Sequence, residues 1–199
     1  YNQMLEKGGN EKDMQELDKL YLEIIAELGK NRNTILLFSN YAHFKAFYQH
    51  NLLVAAEILD EAMLIPYLNK SDLAECKLEY ADIMLLSGKV WTAILYYSQV
   101  EKSFKENPLG HEAKLRRAKI AYFQGDFEWA QAQLDVLKAS TSKLIANDAM
   151  HLSLLITDNL GLDTSEIPLQ IFARADLLFF QNRFSESIIT LDSILNTYK

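Results

Sequence analysis

Two stretches of this chain repeat one pattern at a fixed spacing, and such self-similarity constrains a fold more than any local propensity. EYADIMLLSGKVWTAILYYSQVEK (residues 79–102) aligns with RRAKIAYFQGDFEWAQAQLDVLKA (116–139), so that Ala81 falls on Ala118, Gly88 on Gly125 and Ala93 on Ala130, each 37 residues apart. Tyr97 falls on Leu134 and Val100 on Leu137 in the same register. Small residues let two helices approach closely where they cross, and the large apolar positions fill the space beside the crossing. The unit is therefore an antiparallel helical hairpin with a tight turn. A glycine inside a helix is unfavourable by roughly 0.5–1 kcal/mol, but a glycine in the left-handed conformation closes a helix C-terminus. Gly125 and Gly88 are read as such terminators, with Asp126 capping the next helix through its side chain and Lys89 forming a weaker cap.

A third copy lies in FARADLLFFQNRFSESIITLDSIL (172–195), with Ala175, Asn182, Ser187, Leu191 and Ile194 at the matching places. Asparagine replaces glycine at the terminator, as a left-handed cap allows. Upstream, HNLLVAAEILDEAMLIP (50–66) supplies Ala55, Leu59 and Ala62 and is stopped by Pro66. GGNEKDMQELDKLYLEIIAELG reads as the second helix of a partial repeat, with Leu17, Leu20, Ile24 and Leu28 at helical spacing. Residues 140–163 interrupt the alternation, lengthening the spacing between Gly125 and Asn182 to 57. Ser142 is a candidate N-cap, and Leu144, Ile145, Ala149, Leu152, Leu155 and Ile156 line one face. That helix is expected to open a degenerate repeat, the alternative being a plug against a concave surface. The expected units are 1–30 (partial), 33–66, 71–106, 111–139, the extra helix 140–163, and 167–199.

Composition agrees with helices, since seven glycines and three prolines leave little turn chemistry for many short strands. A formal net charge of -7 argues against nucleic acid, which calls for a clustered basic face. Cys76 is the only cysteine, so the chain can build neither an internal disulfide nor a thiolate metal cluster, and a small buried hydrophobe is its expected role. No apolar run reaches the length of a membrane span. The chain opens on Tyr1, and the expectation is an internal fragment of a soluble protein, cytoplasmic or periplasmic with the compartment left open, from which a targeting segment could have been removed.

No enzyme signature is found. HEAKL at 111–115 lacks the second histidine of a zinc HExxH motif, and His43 and His50 have no third ligand nearby in the sequence. GGN at 8–10 lacks the lysine of a phosphate loop, and DNLGLDTSE (158–166) lacks calcium-loop spacing. Neither a metal nor a cofactor is expected.

The quoted residues resemble the tetratricopeptide repeat, a helix-turn-helix unit of about 34 residues. Ala81 and Ala118 stand at the small position of its first helix, Ala93 and Ala130 at that of its second, and Tyr97 at its aromatic position. Lys77 and Lys114 depart from the usual tryptophan, and Arg117 from the usual leucine. LAECKLEYADI, GKVWTAILYYSQVEKSFK, PLGHEAK and FEWAQAQLDVLKASTSKLIANDA are also similar to a group of large bacterial tetratricopeptide proteins. The resemblance implies an all-α, right-handed solenoid of about ten to eleven helices that serves as a protein-interaction scaffold. A structural spacer in a larger bacterial protein, whose catalytic or export domain lies elsewhere, is the alternative.

Family position by family position, the concave face implied for a peptide or protein partner comprises Leu78, Asp82 and Leu85, then Leu115, Arg116, Lys119 and Tyr122, then Phe172, Asp176 and Phe179. Glu75 and Glu79 lie at its acidic end. Packing of unit on unit competes for Leu78, Leu115 and Phe172. The lysine–asparagine clamp of the family's carboxylate-binding members is not reproduced, so that ligand does not carry over. Trp91 and Trp129 are expected as wedges between repeats, and one ring of each adjacent pair, Tyr96 and Tyr97 or Phe179 and Phe180, as exposed.

Overall fold

The computed structural model describes residues 11–160 and 165–197, and among these there is no strand. Among the described residues ten α-helices follow one another: α1 (Glu11–Leu28), α2 (Ile35–His43), α3 (Leu52–Met63), α4 (Lys70–Leu86), α5 (Val90–Ser103), α6 (Pro108–Gln124), α7 (Phe127–Leu137), α8 (Lys143–Leu160), α9 (Ile167–Phe180) and α10 (Phe184–Thr197). The all-α class and the helix number match the sequence reading. The chain divides into two compact units, Tyr1–Ile83 and Met84–Lys199, with α4 running across the boundary.

The three expected terminators close their helices identically. Gly88, Gly125 and Asn182 have φ of 74°, 80° and 59°. At each, the terminator's N–H donates three residues back and the next residue's N–H donates five back: Gly125 to Tyr122 and Asp126 to Ala121, Gly88 to Leu85 and Lys89 to Met84, Asn182 to Phe179 and Arg183 to Leu178. This pair of bonds satisfies carbonyls that the helix end would otherwise orphan. Asp126 accepts from the Trp129 N–H, whereas Lys89 makes no side-chain cap bond, as its chemistry dictates. α6 opens with Asn107 accepting from the Leu109 N–H and Pro108 in the first turn. Replacing Gly125 by valine puts a β-branched residue in the left-handed region and its Cβ 3.3 Å from Gln170 Cγ. The expected loss is about 1–2 kcal/mol, read as a lowered melting temperature; an unchanged melt contradicts the turn assignment.

In the second unit α5 packs on α6, α6 on α7, α7 on α8 and α9 on α10, while α9 also lies directly along α6. α8 rests chiefly on α7, with lesser contact to α6 and α9. One apolar cluster joins four of these helices, including Leu115, Tyr122, Phe127, Leu134, Ile156 and Leu169. The crossing residues Ala118 and Ala130 are fully buried. At the α9–α10 crossing Ala175 and Ser187 are buried, and the Ser187 hydroxyl donates to the Ala175 carbonyl at 2.8 Å. Ser187 thus replaces alanine with its hydroxyl satisfied. On α8, Ile145, Ala149, Leu152 and Ile156 are buried as expected, but Leu144 is exposed. Lys114 and Arg117 both pair with Glu101 of α5, and the Arg117 guanidinium lies 5.2 Å from the Trp129 ring centroid.

In the first unit α1 packs on α2, and α2 and a π-helical turn at Phe44–Tyr48 pack on α3. Ala55, Leu59 and Ala62 are fully buried, as their spacing predicts. α1 differs from expectation: its buried residues are Leu17 and Tyr21, with Leu20 and Leu28 exposed. Tyr21 stacks on Tyr41 and Phe44, at 5.0 and 5.8 Å, and this aromatic contact turns the helix away from the purely aliphatic stripe. Trp91 also differs, being exposed, while Trp129 is half-buried under Arg117. Tyr97 and Tyr96, like Phe180 and Phe179, divide into a more buried and a more exposed ring.

Candidate functional site

The expected site residues fall in both compact units, and each set has its own surroundings. In the first, Glu75 is exposed and Leu78 is buried. Glu79 is half-buried and accepts from the His43 imidazole, with Nδ1 and Oε1 2.8 Å apart. Asp82 is half-buried. His43, considered above as a metal ligand, thus has a carboxylate partner and stacks on Phe47 at 4.4 Å. Cys76 is buried, and burial pushes its thiol up to about 12, which keeps it a protonated packing residue.

In the second unit the residues gather mainly on α6 and α9, which pack on each other and contribute Ala118, Ala121 and Ala173 to one apolar cluster. Leu85, Leu115 and Tyr122 are buried, and the Leu85 carbonyl accepts from Gln181 Nε2 at 3.0 Å. Arg116, Lys119, Phe172 and Asp176 are half-buried, and Phe179 is exposed. Arg116 Nε donates to Glu112 one turn earlier at 2.8 Å, so the basic end of the expected gradient is partly neutralised on its own helix.

The centre of this layer is a bond across 54 residues of sequence: the Tyr122 hydroxyl donates to Asp176 Oδ2 at 2.9 Å. Burial raises the Tyr122 pKa, and the neighbouring Asp176 charge and hydrogen bond raise it further. Burial also raises the Asp176 pKa, against the lowering influence of the Tyr122 donor. The pair joins two helices that are not consecutive and leaves a desolvated carboxylate near the surface. Beside it the Phe123 and Phe180 rings approach to 6.4 Å. Phe123 was missed in the sequence reading; the signal for it was the second aromatic pair, Tyr122–Phe123, standing 57 residues before Phe179–Phe180.

Chemically the layer offers half-buried aromatics, one desolvated carboxylate and two cations. Among the described residues no three His, Cys, Asp or Glu side chains are grouped to hold a metal ion, and no helix is long and apolar enough to cross a membrane. Comparison with protein-family models, curated proteins and solved structures returns no match.

Proposed function

We propose that this chain is a binding scaffold of the tetratricopeptide-like solenoid class, which receives a peptide or protein partner on the face that α6 and α9 build in its second unit. The observation that supports this most directly is the identical closure at Gly88, Gly125 and Asn182, which makes three hairpins variants of one unit. Stacked hairpins of one kind present their first helices as a continuous ridged surface. On α6 and α9 that surface mixes Lys119 and Arg116 with Phe172 and exposed Phe179, and aromatic and arginine side chains dominate contact energies at protein interfaces.

The test compares the partners retained from source extract by the parent chain and by an Arg116→Glu/Lys119→Glu variant, with circular dichroism confirming that both are equally helical. Loss of at least one partner is the expected result. Identical partner sets from equally folded proteins would reject the α6–α9 surface as the binding face.

A further inference from the structure

The start of α7 faces the end of α8 across an open groove of about 580 Å³. Its floor is apolar, formed by Phe127, Ile156 and Leu160. Phe127 and Ile156 are 3% and 1% exposed, so the floor is closed and suits a chain laid along it rather than a ring inserted between the helices. The charged side chains along the groove are all carboxylates: Glu128, Asp135 and Glu166. Among the described residues only Asp135 has a paired cation, Lys138, whose Nζ donates at 2.8 Å and holds the carboxyl below its ordinary range. The last turn of α8, the negative end of that helix, carries no basic residue. Charge complementarity therefore calls for a cationic occupant with an apolar body.

Gln131, which also lines the groove, adds an independent sign. Its amide nitrogen donates to Asp135 Oδ1 at 3.0 Å and to Ser153 Oγ at 2.5 Å, while its carbonyl oxygen is buried without a donor. An acceptor in that state is destabilising until an N–H reaches it. Glu128, Gln131 and Asp135 follow one another at steps of three and four residues on one face of α7, roughly 4.5 and 6 Å apart along the axis.

We propose that this groove binds a linear aliphatic triamine, with its methylene arms over Phe127, Ile156 and Leu160, its terminal ammonium groups at Glu128 and Asp135, and its central N–H on the Gln131 carbonyl. Single bonds of about 1.5 Å give arms of three and four methylenes a reach of about 5 and 6 Å between nitrogens, which matches the steps along α7. Glu166 adds a further carboxylate to the rim, and Lys138, which already places an ammonium on Asp135, competes with the ligand. The groove belongs to α7 and α8, so its test is independent of the α6–α9 surface proposed above.

The experiment titrates the full chain calorimetrically with spermidine at low salt, and in parallel with the eight-carbon α,ω-diamine, which has the same length and a methylene in place of the central nitrogen. Saturable one-site uptake of spermidine is expected, weaker for the diamine, with new protection from hydrogen exchange at 127–135 and 156–160. Glu128→Gln and Glu166→Gln, both at exposed positions, should each weaken uptake roughly fivefold, and Lys138→Ala should tighten it by a similar factor. Glu57→Gln, an exposed carboxylate on α3, should leave it unchanged. Gln131→Leu, with circular dichroism confirming intact helices, should bring spermidine down towards the diamine. No saturable uptake, equal affinity of the parent chain for the two amines, or equal weakening by Glu57→Gln overturns the proposal, the last result meaning attraction by the net charge of the chain. Uptake of a lysine-bearing helical peptide at the same residues without uptake of spermidine overturns it too and assigns the groove to a basic segment of a partner protein.

Discussion

Replacing Gly110 by alanine should unfold the α5–α6 junction. An added Cβ would stand 2.6 Å from the Phe104 carbonyl carbon and closer still to its oxygen, where only backbone could yield. Gly110 is buried in the first turn of α6, and the same Phe104 carbonyl accepts from the Asn107 N–H at 2.9 Å. Moving it would disturb both that bond and the Asn107 cap on which α6 begins. Overpacking against backbone, with a lost cap, gives an expected loss of roughly 3 kcal/mol or more. For a chain of this size that corresponds to a melting temperature lower by roughly 6–12 °C. Hydrogen exchange should locate the loosening at 104–112, and a variant melting with the parent would show that the close approach is not maintained in solution.

Tyr122→Phe should destabilise the second unit by about 1–3 kcal/mol, because it removes the donor from a partly buried carboxylate and leaves the ring in place. The effect should depend on pH. Asp176 has a folded-state pKa above its ordinary value of 3.8, so its favourable contribution is fully present when it is protonated and is lost as pH rises through that raised pKa. Without the Tyr122 donor the pKa rises further, and the penalty at neutral pH grows. Urea unfolding of parent and variant should therefore differ most near neutrality and converge towards about pH 4. Adding Asp176→Asn to Tyr122→Phe should restore part of the loss by removing the charge. A deficit of equal size at both pH values would mean that the hydroxyl matters for packing and not for the carboxylate.

Much of the hairpin architecture is legible without coordinates. The left-handed closures at Gly88, Gly125 and Asn182, the Asp126 cap and the buried alanines at 118 and 130 all follow from backbone geometry within a few residues. The candidate site is legible only by position. Spacing puts Leu115, Lys119 and Tyr122 on one helix, yet cannot say that Tyr122 is buried against Asp176 while its counterpart Phe179 is bare. Trp91 and Trp129 differ for the same reason: Trp129 meets the Arg117 guanidinium, which belongs to another helix, and Trp91 stands exposed.

Sequence alone determined that helical hairpins recur in this chain and where three of them turn, because helix periodicity, caps and left-handed terminators act between residues at most five apart. Tertiary structure alone decided that α9 lies along α6 with α8 set against α7, that Gly110 meets the Phe104 backbone, and which of two equivalent aromatic pairs is covered. Those outcomes depend on how helices distant in sequence pack together, and packing is specified jointly by many side chains rather than by any local pattern.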